Sequence, residues 1–245
     1  MTTLLVKEKD IVVPGQQLAT GLDYVPGMGT YREGEYIFAA RVGFLQIEGR
    51  MLKLIPLAGR YLPKRNDLII ARVIDVSMSY WRLDINSAYS AMLNIKDATS
   101  DYVPKGADLT QMLTFGEYIV TKIINVTPQF LIDLTMKDPG LRKLPEGRML
   151  SVSSVKVPRI IGKKGSMVSM IKNATNCQIV VGQNGWIWLY GNDPVKELIA
   201  CKAIAKIDAE AHTSGLTERI KTFLEKETGA PVEIPREIES MEYEG

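Results

Sequence analysis

The chain has 245 residues, 46% hydrophobic and 24% charged, with 30 Lys and Arg against 28 Asp and Glu for a formal charge of +2. That length fits two or three modules, each able to bury a core. No run of about 18 apolar residues occurs, which excludes a membrane-spanning helix, and residues 1–10 lack the apolar stretch of a secretory signal, so a cytoplasmic chain is expected.

Residues 1–65 read as short strands. An apolar stretch at 37–42 follows Arg32 to Tyr36, and residues 44–47 and 51–55 flank Glu48-Gly49-Arg50 in the pattern of a hairpin. Pro14-Gly15 and Pro26-Gly27 punctuate the approach. This is a small all-β module, ending in the segment 56–66. Residues 66–145 predict a second β module, with strands at 68–76, 81–85, 115–124 and 130–136. Trp81, Leu83 and Ile85 alternate onto one face. About five strands and an irregular link at 97–111 fit a small OB-type barrel. Asp138-Pro139-Gly140 through Gly147 forms the next boundary.

Residues 146–215 switch to mixed α/β, in the order strand, helix, helix, strand, strand, helix. A strand is expected at 149–157. Gly162 and Gly165 bracket a tight turn, and Ser166 caps a helix carrying Met167, Met170 and Ile171. Asn184-Gly185 marks a hairpin. Asp193 and Pro194 occupy the N-cap and first position of a long helix, whose apolar stripe is Leu198, Ile199, Ala203, Ile204 and Ile207. Residues 216–245 hold a short amphipathic helix with Ile220, Phe223 and Leu224. The glutamate-rich end after Gly229 is too polar to fold.

The chemistry concentrates at Gly162-Lys163-Lys164-Gly165. A G-x-x-G turn between two helices, in this element order, is what a KH domain uses to hold single-stranded nucleic acid. Glycine lets the phosphodiester backbone approach where a Cβ would block it. The lysines supply charge at the phosphates, and the following helix start offers N–H donors. The window 148–192 contains no Asp or Glu yet carries Arg148, Lys156, Arg159, Lys163, Lys164 and Lys172, a local cationic face that outweighs the balanced total. Arg159, Ile161, Gly162, Lys163, Lys164, Gly165 and Ser166 are therefore the candidate RNA-binding residues here. Ile160 and Ile161 either anchor the first helix in the core or share in an apolar groove for bases, anchoring being preferred.

Trp186, Trp188 and Tyr190 share one strand face, for which packing against the neighbouring module is preferred over base stacking. OB-type barrels bind strands through basic and aromatic side chains on one sheet face, which makes Arg72, Tyr80, Trp81, Arg82 and Lys122 the candidates in the barrel. No nucleophile–histidine pair is readable; the single histidine, His212, reads as a cap or surface residue at the end of the long helix. Asp97, Asp101 and Asp108 would suit a metal-dependent nuclease only if clustered; beside Pro104 and Gly106 they read as a solvated loop. Cys177 and Cys201 lie far apart and are read as reduced thiols, as in an intracellular protein. No catalysis, cofactor or metal is expected.

Several segments together carry a family resemblance: Val13-Pro14-Gly15, Gly29-Thr30-Tyr31, Pro56 to Tyr61, Leu83 to Ser87, Val157 to Trp188 with its Val181-Gly182-Gln183-Asn184-Gly185 hairpin, and Glu210 to Thr217. The chain resembles the KH-containing cap subunit of the archaeal RNA exosome from about residue 8 to 227. The resemblance implies a multi-domain chain: an N-terminal small β domain (1–65), a five-stranded OB-fold barrel of the ribosomal S-one type (66–145), and a KH domain (146–215) followed by a short helix and acidic tail (216–245). It further implies a non-catalytic subunit that binds single-stranded RNA. Three copies would sit on a hexameric ring of phosphorolytic subunits that degrade RNA from the 3′ end, with room for the other type of cap subunit. The cap would favour adenine-rich tails and need no membrane. Gly162, Lys163, Lys164 and Gly165 match the family's KH loop. S-one modules commonly carry glycine and phenylalanine before the second strand, where this chain has Ser79, Tyr80 and Trp81. Bacterial polynucleotide phosphorylase shares both module types but in the reverse order, after large catalytic domains. A stand-alone RNA-binding protein or RNA chaperone linked to translation is the alternative.

Overall fold

The computed structural model describes residues 3–57, 59–104, 106–211, 213 and 215–232. His212 and the glutamate-rich end beyond Val232 lie outside the described residues. The chain divides into two units, Met1–Gly59 and Arg60–Gly245.

The first unit holds two four-stranded sheets. One joins Thr3–Leu4, Gln17–Thr20, Tyr36–Ala39 and Thr30–Glu33; the other joins Ile11–Val12, Gly43–Glu48, Met51–Pro56 and Val25–Pro26. The expected hairpin forms around Gly49, pairing Glu48 with Met51. Alternation drives Leu45, Leu52 and Leu54 inward onto Leu18 and Ile37, a small buried core.

The second unit begins with a barrel of β1 (Leu68–Val76), β2 (Tyr80–Asp84), β3 (Ser90–Asn94), β4 (Tyr118–Val126) and β5 (Ile132–Thr135). Neighbours run in the order β5-β3-β2-β1-β4, and β4 also pairs with β5, which closes five strands into a barrel. Only the β3–β5 pairing within it is parallel. This is the OB-type barrel that the strand pattern predicts. Strand β3 carries no β-branched residue, so its propensity signal is weak; only the burial of Ala91 and Leu93 reveals its alternation. Tyr61, assigned to the first module by the sequence boundary at 65, is buried in the barrel core and bridges Ser87. Its hydroxyl donates to Asp67. Burial pushes both the Tyr61 hydroxyl and the Asp67 carboxyl above their ordinary pKa values.

The remainder follows the expected order with β6 (Arg148–Ser151), α1 (Val157–Ile161), α2 (Ser166–Thr175), β7 (Gln178–Val181), β8 (Trp186–Tyr190) and α3 (Pro194–Glu210). The antiparallel sheet runs β6-β8-β7. The strand expected at 149–157 stops at Ser151: a 3-10 turn follows at Ser154–Lys156, and Pro158 stands in the first turn of α1, where its missing N–H costs nothing. Asp193 caps α3 as expected, accepting from the Val195 N–H at 2.9 Å. Leu198 of its predicted stripe is 47% exposed, and the buried positions are Ile199, Ala200, Ala203, Ile204 and Ile207. A further helix, α4 (Leu216–Thr228), sends Leu216, Ile220 and Leu224 into the same core. Among the described residues no helix is long and apolar enough to cross a membrane.

Barrel and α/β sheet share a second, smaller apolar cluster of Ile70, Val120, Leu144 and Trp188. Trp188 is 1% exposed and donates its indole N–H to the Pro145 carbonyl at 3.1 Å. Trp186 meets Tyr118 edge-on at 5.7 Å. Trp186 and Trp188 of the β8 face are thus used for packing, whereas Tyr190 stacks on Trp188 and stays 41% exposed.

Candidate nucleic-acid interface

The turn joining α1 to α2 has an unusual backbone. Gly162 and Gly165 have φ +76° and +79°, and Lys164 between them has φ +50°, so three of four residues sit where L side chains are rare. At Gly162 a Cβ would lie 2.7 Å from both the Cβ and the N of Met167. Glycine there is what lets the loop fold back onto α2. The α2 N-cap is Gly165, not Ser166; Ser166 is the first helical residue, and no side chain caps the helix. The first N–H groups of α2 therefore face the loop with the helix dipole behind them, an arrangement that favours an anion. Lys163 and Lys164 are exposed, as is Arg159 on α1, whereas Ile160 is fully buried in the core and Ile161 half-buried.

A cleft of about 620 Å³ opens beside the loop. Arg159, Gly162, Lys163 and Ser166 line one side, and Thr213, Thr217 and Glu218 the other. The sequence pattern offers no sign of this second wall, because those residues follow the last helix of the α/β module and reach the loop only through the packing of α4.

The acid-free window of the sequence is not acid-free in space. Arg148 lies 3.8 Å from Glu197, and Lys156 lies 3.5 Å from Asp208, both carboxylates being supplied by α3. Arg148 and Lys156 therefore each face a carboxylate, and the window is less positive in the fold than in the sequence. Helix α3 lies outside the window in sequence but returns against it in the fold.

On the barrel the outcome differs by residue. Trp81 is 0% exposed and donates its indole N–H to the Leu113 carbonyl at 3.1 Å, so it belongs to the barrel core and is withdrawn as a nucleic-acid contact. Alternation does put Trp81, Leu83 and Ile85 on one face, but that face is the inner one. Arg72 lies 3.5 Å from Asp84, Arg82 3.5 Å from Asp75, and Lys122 2.7 Å from Asp138. Exposed pairs of this kind are worth about 0–1 kcal/mol, so an arriving phosphate can displace the carboxylate. We expect Trp81→Phe to lower unfolding free energy by about 1–2 kcal/mol, through the orphaned carbonyl, and to leave RNA affinity unchanged. Lost affinity at full stability, measured by denaturant unfolding and titration, would return Trp81 to the interface.

In the 97–111 link the Asp108 side chain serves local structure. Asp108 accepts from the Thr110 N–H at 3.0 Å and its hydroxyl at 2.7 Å, which lowers its pKa. Among the described residues no group of three or more His, Cys, Asp or Glu could hold a metal ion.

A residue that the sequence marks only as a turn former ties the barrel to the α/β module. Asn184 is fully buried. Its Nδ2 donates to the carbonyls of Ile70 at 2.7 Å and Ile85 at 2.9 Å, and its Oδ1 accepts from the Ile70 N–H at 3.4 Å. The Gln183 N–H donates to the Leu68 carbonyl at 2.9 Å, and the Asn86 side chain donates to the Asn184 carbonyl at 2.8 Å. At Gly182 a Cβ would stand 2.8 Å from the Ile70 N, so the approach depends on that glycine.

Three family models match the chain along its length: the exosome complex exonuclease RRP4 N-terminal region at residues 11–48, the RRP4 S1 domain at 60–106, and the KH domain at 147–195. The exosome complex component Rrp4 of Methanothermus fervidus is 44% identical over 222 residues, covering 90% of this chain and 97% of that protein. The chain belongs to the Rrp4 family. Its Pyrococcus furiosus relative is 40% identical over 253 residues, covering 100% of this chain and 96% of that one. The Methanothermobacter thermautotrophicus member is 41% identical over 231 residues, covering 94% of this chain and 73% of its own. Within this family frame the barrel is the S1 domain and the G-x-x-G loop is that of the KH domain.

Proposed function

We propose that this chain is a non-catalytic RNA-binding cap subunit of an exosome, taking single-stranded RNA at the KH loop and along the S1 barrel and passing it to a phosphorolytic ring for 3′-to-5′ degradation. The observation that carries the reading is the Gly162–Gly165 loop, with two exposed lysines over an uncapped helix start, inside a chain that matches Rrp4 proteins nearly end to end. Gly162, Lys163, Lys164, Gly165, Ser166, Arg159 and Ile161 hold the backbone and first bases, while Arg72 and Lys122 contact phosphates further along. Three copies form the cap, with adenine-rich tails favoured, and a second type of cap subunit shares the ring. The N-terminal unit docks on the ring. Its exposed apolar side chains support this: Ile11 is 59% exposed, Val13 54%, Leu22 74% and Val25 51%.

Native mass measurement of the chain mixed with ring subunits is expected to give a complex with three copies of this chain per hexamer. Absence of any complex would sink the cap reading and leave a stand-alone RNA-binding protein. Incubated alone with labelled RNA, phosphate and Mg²⁺, the chain is expected to leave the RNA full length; shortening would make it a nuclease.

A further inference from the structure

The S1 barrel carries an aromatic pair at its surface. Tyr89 lies in the link between β2 and β3, and Phe130 in the link between β4 and β5. Strands β3 and β5 run parallel with Ala91 opposite Ile132, so the residues just before them arrive side by side. Their rings stack with centroids 4.3 Å apart and planes within 3°. Tyr89 is 37% exposed, Phe130 is half-buried, and the adjoining Leu131 is 57% exposed. Neither ring belongs to the apolar cluster that fills the barrel.

The backbone at Phe130 sharpens the point. Its φ is +59°, in the left-handed region where a bulky side chain is a rare outlier and glycine or asparagine is usual. The turn closes through backbone and threonine groups: the Phe130 N–H donates to the Thr127 carbonyl at 2.9 Å, and the Leu131 N–H to the Thr127 hydroxyl at 3.0 Å. Neither bond uses the ring, so turn closure does not call for phenylalanine, and neither does the core. The Tyr89 link is also fixed in place, since Asn86 donates to the Asn184 carbonyl of the KH hairpin at 2.8 Å.

We propose that the Tyr89–Phe130 pair is a platform on which a base of single-stranded RNA stacks. The proposal rests on the RNA-binding reading above. A flat, pre-stacked π-face matches the face of any nucleobase, and base–aromatic stacking is tolerant of sequence. With Trp81 sealed in the core, the pair supplies the barrel with an aromatic surface that a base can reach. Held on the same unit as the KH loop, it gives the strand a second point of attachment.

The test is Phe130→Gly in the full chain, titrated with labelled oligoadenylate and oligouridylate. Affinity for both is expected to fall by roughly five-fold or more, with an unchanged salt slope because the ring neutralises no phosphate. Melting temperature is expected to stay level or rise, since glycine relieves the left-handed backbone. Phe130→Trp should keep wild-type affinity. Moving one abasic site along the oligonucleotide should find a position that weakens the wild type and not Phe130→Gly. Unchanged affinity, a loss that tracks a falling melting temperature, or additive effects at every abasic position would each overturn the platform. If the wild type binds RNA and Lys163→Asp with Lys164→Asp weakens it while Phe130→Gly does not, the platform alone falls. If the wild type binds no RNA, the functional reading falls with it.

Discussion

Replacing Lys163 and Lys164 together by aspartate is expected to weaken binding of single-stranded RNA by roughly ten-fold or more at low salt. The log–log salt slope should shrink by about 1.4, or about 0.7 for each phosphate that is no longer neutralised. The two side chains project from a loop that is itself built around positive φ, and both are exposed. Aspartate tolerates the left-handed region better than lysine, so position 164 gains no strain from the change. Melting temperature should therefore hold. The carboxylates would also meet the start of α2 and occupy the anion site that the helix offers. Fluorescence anisotropy across a salt series separates the outcomes. An affinity and slope equal to wild type would show that this loop does not touch phosphate.

Asn184→Ala is expected to cost about 3 kcal/mol of unfolding free energy. Three backbone groups, the N–H and carbonyl of Ile70 and the carbonyl of Ile85, lose a partner in a site closed to water. Each orphaned buried group costs about 1–3 kcal/mol, and partial relaxation returns some of the total. Asn184→Asp should be at least as damaging, because a carboxylate cannot donate to the two carbonyls. Urea unfolding measures both. A loss below about 1 kcal/mol would mean that the apolar cluster of Ile70, Val120, Leu144 and Trp188 holds the joint without help from these bonds.

Much of the fold is legible because the strands and helices carry strong local patterns. Residues 68–76 form a long run bounded by Asp67 and Ser77, and β1 spans Leu68–Val76. Asp193-Pro194 announces the start of α3 through a side-chain oxygen and a fixed φ, both local effects. Where the pattern is weak, sequence and structure part. Strand β3, Ser-Ala-Met-Leu-Asn, has no β-branched residue and leaves no propensity signal. The segment 149–157 looks extended throughout, although Pro158 favours a helix start there. Trp81 shows the limit of alternation: period-two spacing says which residues share a face, not whether that face looks inward.

The G-x-x-G loop is legible for a chemical reason, since close approach of a phosphate backbone demands glycines and charge at fixed spacing. Its surroundings are not. The carboxylates on Arg148 and Lys156 come from α3, and Thr213, Thr217 and Glu218 reach the cleft through the packing of α4.

The sequence by itself therefore determined the module order, the element types and the phosphate-facing loop, because those rest on local propensity, periodicity and the conformational freedom of glycine. Only the tertiary structure decided that Arg148 and Lys156 meet carboxylates, which aromatic rings are sealed and which are paired at the surface, and that a turn asparagine binds barrel to KH domain. Those depend on groups as far apart in the chain as Asn184 and Ile70, 114 positions, meeting in space, which no local pattern records.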